Sequence, residues 1–81
     1  MDNWIDLSLP VATTLKAHPE VKELLIDLGF KPLGNPVMLK TLGAVTSLER
    51  GASLIGLDLQ VLIQELHHNG YLVKGVDDHD Q

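Results

Sequence analysis

Eighty-one residues with a 44% apolar share make one folded domain with no room for a second, and a zero cysteine count removes disulfides and thiol chemistry. Six Lys and Arg scattered against eleven Asp and Glu give a net charge of −5, which excludes the broad basic face that a duplex-binding protein needs to displace counterions. No uncharged run is long enough to span a bilayer, and MDNWIDLSLP lacks the basic-then-apolar plan of a signal peptide, so a cytoplasmic chain without nucleic-acid or membrane partners is expected.

Along the chain, only WIDL near the N-terminus reads as extended. Ser8 is placed to cap a first helix over 9–17, with Pro10 in its first turn, where a missing N–H is harmless. Pro19 follows His18 and opens a second helix over 20–28. Glu20 and Glu23 favour the positive end of that helix, and Val21, Leu24, Leu25 and Leu28 carry its apolar spacing. Then comes GFKPLGNPVMLKTLG, residues 29–43, with three glycines and two prolines. In this loop Pro32 and Pro36 stiffen a turn, Gly34 permits positive φ, and Phe30 plugs the core. Asn35 and Pro36 cap and open a third helix over 36–42. TSLE, residues 46–49, has the spacing of a capping box for a fourth helix over 47–55. Asp58 caps a fifth over 59–68, whose Leu59, Leu62, Ile63 and Leu66 recur with helical period.

Gly29, Gly43, Gly56 and Gly70 each end an apolar-periodic segment and precede an apolar residue, the pattern of a helix stopped by a left-handed glycine. The fold class expected is all-α: a compact single domain, residues 1–74, of about five short crossing helices with glycine-terminated ends. The remainder, 75–81, reads as a disordered acidic tail.

Leu33, Gly34, Asn35, Val37 and Met38 are the candidate binding residues. The bland reading makes the loop only a structural turn. A second reading has the N–H groups at the start of the third helix hold a small anion or carboxylate, with Asn35 competing for the same donors. A third makes Leu33, Val37 and Met38 a protein-docking or self-association surface, with Met38 as an adaptable contact. Glu65 and His68 have the Glu-x-x-His spacing of di-iron bundles, but such sites need two of these motifs and more glutamates. His67 and His68 suit the negative end of a helix instead, and His18 reads as a cap or core-edge residue. Pairing Ser47 or Ser53 with a histidine gives no more than residues that co-occur in most sequences. No metal, no cofactor and no enzyme activity are expected.

The segments VATTLKAHPEVKELLIDLGF and LGAVTSLERGASLIGLDLQVLIQEL flank the proline- and glycine-rich loop. In them stand the His18-Pro19-Glu20 junction and the Gly56-Leu57-Asp58-Leu59-x-x-Leu62 start of the last helix. On these features, over roughly residues 5–71, the chain resembles a small bacterial all-helical domain of unknown function. One type within it is the hybrid-cluster-protein-associated redox disulfide domain. A more distant likeness is to the N-terminal domain of di-iron proteins linked to iron–sulfur cluster repair. Redox relatives read Gly-x-x-Cys-x-x-Cys-Pro where this chain has Gly29 to Pro36, with Pro32 and Asn35 at the thiol positions. A thiolate at a helix N-terminus attacks disulfides readily, and neither Pro nor Asn does so; dithiol exchange is excluded. The loop is similar to that of a cysteine-free branch found beside hemerythrin-like and PAS-like sensor domains. That resemblance implies a sensing or protein-interaction module that binds such a partner or a second copy. The net negative charge leads one to expect a partner with a basic rim.

Overall fold

The structure, a computed structural model, describes residues 3–76; the disordered acidic tail expected over 75–81 lies, from 77 on, outside the described residues. WIDL does run extended: β1 (Trp4–Asp6) turns Ile5 into the core and leaves Trp4 exposed. Its partner is β2 (Leu72–Lys74), parallel, with Ile5 opposite Val73. Beyond the ladder itself, the Leu7 N–H donates to the Lys74 carbonyl and the Leu72 N–H to the Asn3 carbonyl, each at 2.9 Å. Parallel strands need a long crossover between them. Here that crossover is the whole helical body: α1 (Val11–Ala17), α2 (Val21–Leu28), a 3-10 turn (Lys31–Gly34), α3 (Pro36–Val45), α4 (Leu48–Leu54) and α5 (Leu59–His68). The fold is mostly helical, as expected. The second strand is an addition, since Leu72–Lys74 is too short to show alternation.

Three of the four punctuating glycines end helices as expected. Gly29, Gly56 and Gly70 have φ of 127°, 75° and 90°. After each, the next residue donates its N–H back across the turn: Phe30 to Leu25, Leu57 to Ala52 and Tyr71 to Leu66, at 2.8–3.0 Å. This six-to-one bond is the Schellman arrangement, and it folds Phe30, Leu57 and Tyr71 onto the helix they follow.

Gly43 is the exception and corrects the expectation. It is absent from the positive-φ residues, is buried, and lies inside α3, which runs on to Val45. It lies where α3 packs on α1. A Cβ there would stand 3.6 Å from the Ala12 nitrogen of α1 and 3.0 Å from Leu39 Cδ1. Gly34 is likewise not at positive φ; it sits in the 3-10 turn with Pro32 near its start.

The caps divide in the same way. Asn35 accepts from Val37 N–H at 2.9 Å and Met38 N–H at 3.4 Å, and Asp58 accepts from Gln60 N–H at 2.9 Å, both as expected. The fourth helix is capped by Ser47, which accepts from Arg50 N–H, so Thr46-to-Glu49 is not the capping box. Thr46 ends α3 instead. Ser8 caps nothing: its N–H and hydroxyl both donate to Asp6 Oδ1, and α1 starts at Val11 without a side-chain cap. The Val11 N–H is satisfied from far away in sequence, by the Thr46 carbonyl at 2.8 Å. Pro19 falls in the turn before α2, which begins at Val21.

Helices this short are marginal alone and exist by packing. Ile5, Leu7, Leu25, Leu48, Leu62 and Leu66 are at most 1% exposed and tie the first strand to α2, α4 and α5. Val76, inside the expected tail, packs against this core.

Candidate functional site

The stretch after Gly29 builds a groove. Phe30 and Leu33 turn inward to 5% and 6% exposure and, with Val11, line the groove from the core side. Met38, Leu42 and Gly43 line it from α3; Gly51, Leu54 and Ile55 from the α4 end; Pro32 and Thr46 complete it. The spacing of Met38 and Leu42 puts both on one face of α3, and Val45 continues that face one turn on. Leu42, Leu54 and Ile55 remain exposed around the groove, and Val45 is 78% exposed.

Gly51 sets the depth. A Cβ on it would lie 2.9 Å from Phe30 Cε1, closer than side-chain carbons approach, so the ring rests directly on the α4 backbone. Glycine inside a helix costs roughly 0.5–1 kcal/mol relative to alanine. Here it admits a large ring.

The cavity is about 140 Å3. Pockets for cofactor-sized molecules run to roughly 300–1,000 Å3. This one matches a single large apolar side chain or a benzene-sized molecule. No lining residue is an acid or a base, and Thr46 is the one lining side chain with a nitrogen or oxygen atom, so the chemistry of the groove is apolar contact.

The candidate residues separate by location. Leu33 and Met38 line the groove. Val37 is 67% exposed beside it, and Gly34 is exposed on the turn. Asn35 is a helix cap. With Asn35 holding the Val37 and Met38 N–H groups, its carbonyl taking the Leu39 N–H, and Pro36 having none, the first turn of α3 leaves an anion no unused donor. Gly51, Leu54 and Ile55 escape a reading centred on the loop. No signal in the sequence marks Leu54 and Ile55 as surface, since adjacent apolar pairs such as Leu24 with Leu25 and Leu62 with Ile63 both pack on the core.

Residues 5–63 match the family described as a domain of unknown function, DUF1858. The chain belongs to the DUF1858 family. It is also similar to a solved protein, the conserved domain protein from Streptococcus pneumoniae TIGR4, whose crystal structure superposes with a TM-score of 0.91 at 49% identity. That likeness covers 95% of this chain and 98% of the other. No curated protein matches the chain.

Away from the groove, a polar cluster in this DUF1858 domain joins its early and late segments. The Tyr71 hydroxyl donates to Glu20 Oε2, His18 Nδ1 lies 3.6 Å from the same oxygen, and the His18 and Tyr71 rings meet edge to face at 5.3 Å. The bond to Glu20 pushes the Tyr71 phenol up to about 12, with burial and the carboxylate charge adding to it. The same bond holds Glu20 below its ordinary value. The cluster pins the turn at Pro19 to the segment after α5. Hydrogen bonds from the Ser8 hydroxyl and N–H similarly hold Asp6 below the usual carboxylate range. His68 is 72% exposed with Glu65 Oε2 at 3.9 Å, and among the described residues no three His, Asp or Glu side chains gather as metal ligands.

Proposed function

We propose that this DUF1858 domain is a non-catalytic protein-interaction module whose docking face is the groove between the 31–34 turn, α3 and α4. The observation that carries the reading is an apolar, half-open groove lined by Met38, Leu42, Leu54 and Ile55, with exposed apolar residues continuing from it. Its size suits one anchoring side chain, and interface anchors of that kind carry most of the energy of association. The loop's resemblance to the cysteine-free branch of the hybrid-cluster-associated type supports a cytoplasmic partner among hemerythrin-like or PAS-like sensor proteins. In the redox type, thiols occupy the positions of Pro32 and Asn35. Here the first lines the groove and the second caps α3, so the segment is left to packing and contact.

The test is Met38→Asp, with Val61→Asp on α5 as a control at an exposed apolar residue outside the groove. Proteins co-purifying from cells are identified and the complex is rebuilt from purified components. The expected result is a complex that survives Val61→Asp and weakens at least tenfold with Met38→Asp, while circular dichroism shows both variants folded. Equal association of both variants would rule out this face.

A further inference from the structure

Five of the nine large hydrophobic residues exposed among the described residues fall in 37–55, so the apolar surface concentrates on the elements that make the groove. The balance of charge there has the opposite sign to that of the molecule. Residues 30–57 carry Lys31, Lys40 and Arg50 against Glu49 alone. The rest of the chain sets three lysines against ten acidic residues. The groove is therefore apolar within a basic segment of an acidic protein.

Resting on the docking reading above, we infer that its occupant is an acidic amphipathic segment of another protein, seating one large apolar side chain in the cavity. The volume, about 140 Å3, admits one such side chain and no more. Leu42, Leu54 and Ile55 receive the apolar neighbours of that anchor, as in the docking of an amphipathic helix into a groove. The flanking acids meet Lys31 and Arg50, which are exposed on the elements bordering the groove. The same charges oppose a second copy as occupant. A two-fold pairing of grooves sets each basic segment against its own copy, and like charges facing one another disfavour that pairing. The acidic-rimmed partner replaces the basic-rimmed one expected from net charge alone.

The experiment titrates the isotope-labelled chain, by NMR, with three synthetic helix-forming peptides: a Phe anchor with Glu flanks, a Phe anchor with Lys flanks, and an Ala anchor with Glu flanks. The Phe/Glu peptide is expected to shift the amides of Gly43, Gly51 and Leu54 and to bind at least tenfold more tightly than either of the others. The double variant Lys31→Glu with Arg50→Glu is expected to reverse the flank preference. Equal binding of the Phe/Lys peptide overturns the acidic partner and leaves the docking face standing. Equal binding of the Ala peptide, or no groove shift with either Phe peptide, overturns the anchor, and the Met38→Asp experiment then judges the docking face independently.

Discussion

Tyr71 is the chain's single tyrosine, so its ionisation is readable without interference. Its phenolate absorbance is expected to appear with a midpoint of about 12, and Glu20→Gln to return it toward the ordinary value of 10.0. The folded phenol is raised, so the bond's contribution is complete below the ordinary tyrosine value and is lost as pH rises through about 12. Glu20 is lowered, so its share is complete above the ordinary value of 4.5 and is lost as pH falls through the folded value. An unshifted midpoint in the wild type would remove the bond from solution. Glycines at the same scale differ in kind. Gly51→Ala gains roughly 1 kcal/mol of helix propensity but overpacks Phe30, which typically costs about 1–3 kcal/mol. A net loss of up to about 2 kcal/mol is expected in denaturant unfolding, by that difference. Gly43→Ala carries no left-handed penalty, and the nearest obstacle, the tip of half-buried Leu39, can swing aside. Its net effect is expected within about 1 kcal/mol of zero, the size of the propensity gain. A Gly43 variant less stable than the Gly51 one would reverse this assignment. The sequence places an apolar residue after Gly43 as after the other three, so periodicity alone cannot separate a stop from a close approach; the separation lies in Ala12, thirty-one positions away.

At the scale of elements, β1 matters more than its three residues suggest. A two-stranded sheet is marginal by itself, yet Ile5 is 1% exposed and Leu7 fully buried. The Leu7 carbonyl also accepts from Glu49 N–H, which ties the strand's end to α4. Ile5→Ala is expected to destabilise by about 2–5 kcal/mol, the range for truncating a buried aliphatic side chain. Thermal unfolding measures it, and a loss below that range would make the strand peripheral. Of the elements, α5 was legible to the residue, because its cap, spacing and terminating glycine all agree. The start of α1 was not, because its first N–H bonds to Thr46 rather than to Ser8. A local cap is a matter of neighbours in sequence; a carbonyl arriving from another element is not. For the candidate site, the loop half was legible through Met38 and Leu33. The α4 half was hidden, because Leu54 and Ile55 read equally well as core.

Across the whole molecule, net charge and the charge around the groove have opposite signs, and the acidic partner proposed above follows from the second. Binding of the Phe/Glu peptide is expected to weaken as salt rises, since exposed charges are screened beyond roughly 8–10 Å at moderate ionic strength. Isothermal titration at low and high salt checks this, and salt-independent binding would leave only the apolar anchor. The crossover topology brings the walls of the groove together. Between strands paired in parallel, α1 meets α3 at Gly43, and α4 meets the loop at Phe30.

The sequence by itself determined the helical class, five helix positions, the caps at Asn35 and Asp58, and three glycine stops. Each depends on residues within one turn of one another. It also determined that thiol chemistry is absent. Only the tertiary structure decided that Gly43 packs rather than terminates, that Leu72–Lys74 pairs with Trp4–Asp6, and that α4 joins the loop to form a groove. Those outcomes depend on which surfaces meet, and contacts between residues far apart in the chain leave no periodic trace in it.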